Sequence, residues 1–288
     1  MNVPPGARPA GITEPGVYDM PAEEYFADPV VGGSLTSSGA RSLLRTTPAR
    51  WRYEQSHPTP PTAAMILGTA VHSLTLGAGP KIVEVDATDW RSKAAQAERD
   101  EAASAGNVPL LRADYRRAQD MAGAVHSHPV ASALFTADRG RPEQVMVWHD
   151  HEFGVWRRSM VDHFPHDDGR RPIEVDLKTT TDASPKALAK TVANFGYHMQ
   201  AAFYLDGYDA LFPGRDPAFL FVFVEKDPPY LVSVVELDGE ALEIGRARNR
   251  EALSLYRDCV CSGDWPGHSP EIELVSLPSW AARMEEYR

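Results

Sequence analysis

The run Ala218-Phe-Leu-Phe-Val-Phe-Val224 is the longest unbroken apolar stretch in the chain. It is far shorter than the roughly 20 residues of a membrane span, and its aromatic and β-branched residues favour a strand. A strand that is apolar at every position has no side for water, so it must lie inside a sheet covered on both faces. The neighbouring sequence supplies the partners. Residues 143–149, 154–163 and 172–179 alternate between polar and apolar, and turn-prone His149-Asp-His-Glu-Phe-Gly154 and His166-Asp-Asp-Gly-Arg170 join them into a three-stranded meander. Ser184 followed by Pro185 starts a helix, and the stripe Leu188, Val192, Phe195, Met199 and Phe203 carries it to about Tyr208. After Asp227-Pro-Pro, residues 230–235 read as a hairpin partner of the apolar strand, and a helix from about Gly239 to Cys261 follows. The order βββ-α-ββ-α predicts an α/β fold with a central mixed sheet flanked by helices.

The first half reads differently. Prolines cluster in 4–21 and 58–61, which predicts an irregular N-terminal arm over residues 1–15 and a loop. Residues 34–44 offer hydroxyl caps before an apolar pair, residues 63–76 place Met65, Leu67, Val71 and Leu74 at helical spacing, and residues 85–125 read as one or two solvent-facing helices. The expected organisation is one domain over 16–288, with a mainly helical part over 16–140 and a core over 141–266. Residues 1–15 lack a basic segment followed by an apolar one, so a cytoplasmic location is expected. The formal net charge is −11, which argues against a broadly basic nucleic-acid-binding surface. The excess is local: residues 1–140 hold 15 acids and 13 bases, and residues 141–288 hold 25 acids and 16 bases.

The chemistry concentrates in Ile173-Glu-Val-Asp-Leu-Lys-Thr-Thr180. Strand alternation puts Ile173, Val175 and Leu177 on one face and Glu174, Asp176 and Lys178 on the other. An acid and a lysine on the polar side of a core strand lose hydration, and a divalent cation would offset that cost. Asp162, at the end of the preceding strand, falls beside this segment. Two carboxylates with a lysine suit Mg²⁺-assisted phosphodiester hydrolysis, with hard oxygen ligands for the ion and an ammonium to orient water or stabilise charge on the phosphate.

These residues resemble the core of the PD-(D/E)xK nuclease superfamily, with Asp162 as first acid and Asp176-Leu-Lys178 as the D-x-K. Gln200-Ala-Ala-Phe-Tyr204 matches the Q-x-x-x-Y motif of the RecB-like branch, and Gly68-Thr-Ala-Val-His72 matches its G-x-x-x-H. Within that branch the chain is most similar to the exonuclease VIII (RecE-type) domain of phages and prophages, through Ser34-Leu-Thr-Ser-Ser38, Thr47-Pro-Ala49, Leu67 to His72, Asp176 to Thr180 and His198 to Tyr204. The resemblance implies a restriction-endonuclease-like fold and a metal-dependent exonuclease acting on duplex DNA ends, 5′ to 3′, in phage-type recombination. It further implies a single-strand annealing protein as partner and a ring-like homo-oligomer. His72, Asp162, Asp176 and the Leu177 carbonyl would hold Mg²⁺ or Mn²⁺, and Lys178 would assist the water. Glu143, Gln200 and Tyr204 are candidates for supporting the metal or touching DNA. Alternatives of the same fold are a single-strand-specific or end-trimming nuclease and a non-catalytic DNA-binding module.

Other features narrow the field. Cys259 and Cys261 are too few for an iron–sulfur cluster or a disulfide framework. No G-x-x-x-x-G-K-[ST] occurs, so no ATPase motif is present. His149, His151, His163 and His166 read as solvated turn residues rather than a zinc site. Arg157, Arg158, Arg170 and Arg171, with Lys186 and Lys190, are the expected phosphate contacts, and Trp148, Trp156 and Tyr197 are read chiefly as core.

Overall fold

The computed structural model describes residues 11–281. Its elements are β1 (Gly16–Asp19), α1 (Ala22–Phe26), β2 (Ser34–Thr36), α2 (Ser37–Arg45), α3 (Pro48–Ser56), α4 (Ala63–Leu76), β3 (Ile82–Val85), α5 (Lys93–Ser104), β4 (Val108–Leu111), α6 (Arg112–Ser127), α7 (Ala131–Leu134), β5 (Gly140–Asp150), β6 (Val155–Pro165), β7 (Ile173–Thr180), α8 (Pro185–Phe195), α9 (Tyr197–Leu211), β8 (Ala218–Glu225), β9 (Val232–Glu236) and α10 (Gly239–Ser262). The main sheet has the order β1-β5-β6-β7-β8-β9, with β2 added on β6. β7 and β8 are parallel, whereas β5–β6 and β8–β9 are antiparallel, so the sheet is mixed. Among the described residues no helix is long and apolar enough to cross a membrane.

The all-apolar strand is covered as its composition requires. Phe219, Phe221 and Phe223 of β8 pack in a core with Phe203 and Tyr204 of α9 and with Leu253 of α10. Val222 and Val224 point the other way, into a second core with Val175 and Leu177 of β7, Leu67 and Val71 of α4, and Met121 of α6. Helices therefore lie on both faces. Close approach on one side depends on a small residue: a Cβ on Gly207 would sit 2.8 Å from the Trp148 ring.

Three local expectations change. The helix expected from Ser184 to about Tyr208 is two helices, broken at Gly196, which adopts φ 67°. This break leaves Phe195 exposed rather than in the expected apolar stripe. The first half also contributes strands: β1 pairs antiparallel with β5, and β2 pairs parallel with β6. Within the stretch read as helical, β3 and β4 form a small parallel sheet. Strands this short carry too few residues for alternation to stand out. Of the expected N-terminal arm, residues 1–10 lie outside the described residues, and Ile12 is buried and bridges to Val30.

β6 shares one edge between two partners, and this shapes the molecule. β2 covers it at Trp156–Arg158. β7 meets it at His163↔Val175. Ser159 to Asp162 face the interval between them. Because α2 follows β2 without a linker, the same pairing brings α2 to the mouth of that interval.

Glu174, placed by alternation on the face of Asp176 and Lys178, is wholly buried on β7, and neither carboxyl oxygen has a hydrogen-bond partner. Burial, then the nearby Asp209, pushes its pKa well above the usual carboxylate range. An acid whose pKa is raised by folding stabilises fully below its unfolded pKa and loses that contribution as pH rises through the folded value. Glu174→Gln should therefore raise stability at pH 8 by on the order of 1 kcal/mol and change it much less at pH 4. Urea unfolding at the two pH values measures this, and equal effects at both would contradict it.

Candidate active site

The register aligns three acids across the sheet. Asp162 lies one step beyond His163↔Val175, opposite Asp176. Glu143 lies between Pro142↔His163 and Gln144↔Val161, opposite Asp162 on its other side. Glu143 itself is unpaired and adopts φ 50°, a local distortion of β5 directly after Pro142. Such a residue is re-aimed off the regular pleat, and its carboxylate passes so close to Gly79 that a Cβ there would lie 2.9 Å from Oε1.

Asp162 takes the place of strand pairing. Its Oδ2 accepts the Leu177 N–H at 2.8 Å, bridging the point where β6 and β7 part. His72 lies on the same oxygen, with Nδ1 at 3.3 Å. The histidine is placed there by α4, which starts at a Thr62 cap and buries Leu67, Ala70 and Val71 against β7. Gly68 faces Thr179, with its Cβ position 4.0 Å from Oγ1, so the G-x-x-x-H spacing seats the helix on the catalytic strand.

Asp176 is nearly inaccessible to solvent. Its Oδ1 accepts from Gln200 Nε2 at 2.6 Å, and the Lys178 ammonium contacts Oδ2. That Oδ2 has no hydrogen-bond partner in good geometry, and neither has Gln200 Oε1. Lys178 Nζ also lies over the Tyr197 ring, 5.4 Å from its centroid. Tyr204, one helical turn beyond Gln200, donates to the Met160 carbonyl at 2.8 Å. The two residues of the Q-x-x-x-Y motif thus tie α9 to β7 through Asp176 and to β6 through Met160, holding both acid-bearing strands from one helix.

The charges are not balanced. Burial pushes the Asp162 carboxyl up; His72 and Lys178 oppose this, and Asp176 adds to it. Burial and then Asp162 raise Glu143, against His72. Burial would lower the Lys178 ammonium, but Asp176 and Asp162 outweigh it and hold it raised, so this lysine is a cation at neutral pH. Three carboxyls facing one ammonium leave a deficit of positive charge. The donor set of hard oxygens plus one imidazole and the raised acids fit a divalent cation. In this arrangement Lys178, His72 and Gln200 occupy the carboxylates. Among the described residues no group of three His, Cys, Asp or Glu side chains is arranged to hold a metal ion.

A cleft of about 760 Å³ opens over Asp162, Asp176 and Lys178. Its far wall is α2, presenting Arg41 and Arg45. Neither forms an ion pair among the described residues. Arg41 is held by carbonyls, Ser37 at 3.3 Å and Phe195 at 3.0 Å, and lies 5.9 Å from the Tyr197 centroid. Phe26 and Phe195 stand exposed at the mouth.

The expected phosphate contacts are corrected accordingly. Arg157 is buried, pairs with Asp150 and Asp206, and packs its guanidinium on Trp148 and Phe203. Arg158 is buried, pairs with Asp28 and donates to Ser34 and the Tyr25 carbonyl. Both turn inward because their β6 positions face packed elements, and they hold structure together instead of facing solvent. Arg170 and Arg171 pair with Asp168 and Asp216 outside the cleft. The sequence reading missed Arg41 and Arg45; the signal was present in their i, i+4 spacing on α2, but only the β2–β6 pairing shows where they point. His149 and His151 lie with Nδ1 atoms 3.3 Å apart beside a separate cavity containing Asp206 and Arg246. Cys259 and Cys261 are both free.

A mixed sheet that carries acids on adjacent strands, a D-x-K lysine and a supporting helix defines a nuclease domain of the PD-(D/E)xK type. The chain belongs to the family described as PDDEXK-like domain of unknown function (DUF3799), whose model matches residues 39–278. Its fold is similar to the crystal structure of a protein called a "putative exonuclease" from Eubacterium rectale, with a TM-score of 0.61 and 12% identity over 92% of this chain and 98% of that one. The crystal structure of SSO0001 aligns with a TM-score of 0.30 and 12% identity, covering 76% and 94% of the two chains. No curated protein sequence matches. Nucleases of this class generally use divalent metals.

Metal binding should be visible as stabilisation. At a concentration about 100-fold above its Kd, Mn²⁺ should add roughly 2.7 kcal/mol and raise Tm by roughly 5 °C or more. Asp162→Asn/Asp176→Asn should remove the shift. The raised acids bind protons that compete with the ion, so the shift should grow from pH 5 to pH 8. A shift unchanged in the double variant would place the ion elsewhere.

Proposed function

We propose that the protein is a Mg²⁺- or Mn²⁺-dependent exonuclease that hydrolyses phosphodiester bonds from the ends of duplex DNA, in the 5′ to 3′ direction. The observation that carries this reading is the placing of Asp162, Asp176 and Lys178 on one wall of the cleft and, on the other, of two arginines that form no ion pair among the described residues. A DNA strand between these walls would bring phosphates to Arg41 and Arg45 and the scissile phosphate to the acids. The described neighbour's name also favours an exonuclease.

Asp162, Asp176, His72 and the Leu177 carbonyl would hold the ion, with Glu143 supporting it from β5. A bound divalent cation supplies Lewis-acid polarisation of the phosphate and a more acidic water. Lys178 would leave Asp176 to hydrogen-bond the attacking water and to stabilise the added negative charge at phosphorus. Gln200 keeps the Asp176 carboxylate aimed into the cleft, and Tyr204 keeps β6 at the spacing Asp162 needs. Phe26 and Phe195 offer aromatic faces for unpaired bases. Phage-type recombination, a single-strand annealing partner and a ring-like homo-oligomer belong to the same reading through the exonuclease VIII resemblance.

Linear duplex with blunt ends should be degraded with Mg²⁺ and covalently closed circles should not. Cutting of the circle would indicate an endonuclease, and faster loss of single-stranded DNA would indicate a single-strand enzyme. Lys178→Ala should lower kcat at least about 100-fold with the fold unchanged. Arg41→Gln and Arg45→Gln should instead weaken DNA binding, each by roughly tenfold, and each should reduce the salt slope by about one. Undiminished turnover in the Lys178 variant would remove the mechanism.

A further inference from the structure

Tyr197 lines the cleft within reach of both walls. Lys178 Nζ lies 5.4 Å from its ring centroid, and the guanidinium carbon of Arg41 lies 5.9 Å from the same point. Both distances fall inside the roughly 6 Å over which an aromatic face attracts a cation. The ring is fixed by other aromatics: it stacks on Phe195 with centroids 5.7 Å apart and leans on Phe221 and Phe223 of β8 at 5.5 and 6.0 Å. Its hydroxyl forms no hydrogen bond among the described residues. An aromatic expected in the core therefore presents the cleft with a π face.

The break between α8 and α9 puts it there. Tyr197 follows Gly196, whose φ of 67° ends one helix and starts the next in a new direction. A side chain at that φ would be strained, and its Cβ would lie 3.0 Å from Arg41 Cδ. One left-handed glycine thus redirects the chain so that Tyr197 reaches the cleft, and leaves room for the Arg41 stem beside it.

The two cations differ in what else holds them. Arg41 donates to the Ser37 and Phe195 carbonyls. Lys178 contacts the Asp176 carboxylate and the ring. A divalent cation at the acid row would compete for that carboxylate, and its charge would repel the ammonium it displaced. An aromatic face holds an ammonium without offering an oxygen for the ion to take. We propose that Tyr197 is a positioning residue, which keeps the Lys178 ammonium in the cleft, over its ring, once Asp176 turns to the ion. This rests on the nuclease reading above and assigns Tyr197 a part in it beyond packing.

Tyr197→Phe, followed by the mono-, di- and trifluorinated phenylalanines at the same position, keeps the ring in place while draining negative charge from its face. The phenylalanine form should retain kcat within about twofold, and kcat should then fall stepwise, reaching roughly tenfold lower in the trifluoro form, with KM for duplex DNA unchanged. Packing alone would leave the series flat, and a fall confined to KM would place the effect on Arg41; either result would overturn the proposal. A second readout needs no hydrolysis. In protein carrying ¹³Cε-labelled lysine, the Lys178 signal, assigned by its loss in Lys178→Arg, should be shifted upfield by the ring and should stay upfield when Mg²⁺ is added. Its move on Mg²⁺ addition to the position of solvent-exposed lysines would overturn the proposal while leaving the nuclease reading intact. Failure of the wild-type chain to cut any DNA would overturn the nuclease reading, and this assignment with it.

Discussion

The structure depends on the parting of β6 and β7. A regular antiparallel pair would satisfy the Leu177 N–H with a backbone carbonyl; here the Asp162 carboxylate accepts it instead, and the pairing is reduced to His163↔Val175. A charged acceptor makes a stronger bond than a neutral one, and it carries negative charge into the interior of the sheet. That charge sits opposite Asp176 on one side and Glu143 on the other. Burying such a row is unfavourable unless cations approach it, which accounts for the convergence of His72 and Lys178 and for the raised Asp162 and Glu143 carboxyls. The free edge of β6 has a second consequence: β2 occupies it and carries α2, with Arg41 and Arg45, to the opposite wall.

Much of this was legible in the sequence. The apolar run 218–224 required a sheet covered on both faces, and alternation placed Asp176 and Lys178 on one side of β7, as found. The spacing of Gln200 and Tyr204 put both on one helix face, but whether they would meet DNA or the strands was open; they meet Asp176 and the Met160 carbonyl. What escaped the sequence was tertiary. Arg157 and Arg158 read as surface cations because charged residues usually are, yet Asp150, Asp206 and Asp28 compensate them inside. Glu174 read as a further polar residue on the face of Asp176, and nothing local announced that it would lie near Tyr208 and Asp209 of α9. The break at Gly196 interrupts an apolar stripe that continues without fault in the sequence, because a single left-handed residue leaves the pattern intact while redirecting the chain.

The net charge of −11 takes on a different meaning once the groups are placed. Part of the acidity is the active-site row, which a divalent cation would neutralise, and another part pairs with buried arginines. The cations that line the cleft are Lys178 beside the acids, and Arg41 and Arg45 across from it.

The central claim is that the carboxylates of Asp162 and Asp176 form one cation site. Anomalous diffraction from crystals soaked in Mn²⁺ tests it most directly. The account predicts a peak bonded to both carboxylates, with Lys178 displaced from Asp176. A peak at His149 and His151 with none between the two aspartates would contradict it.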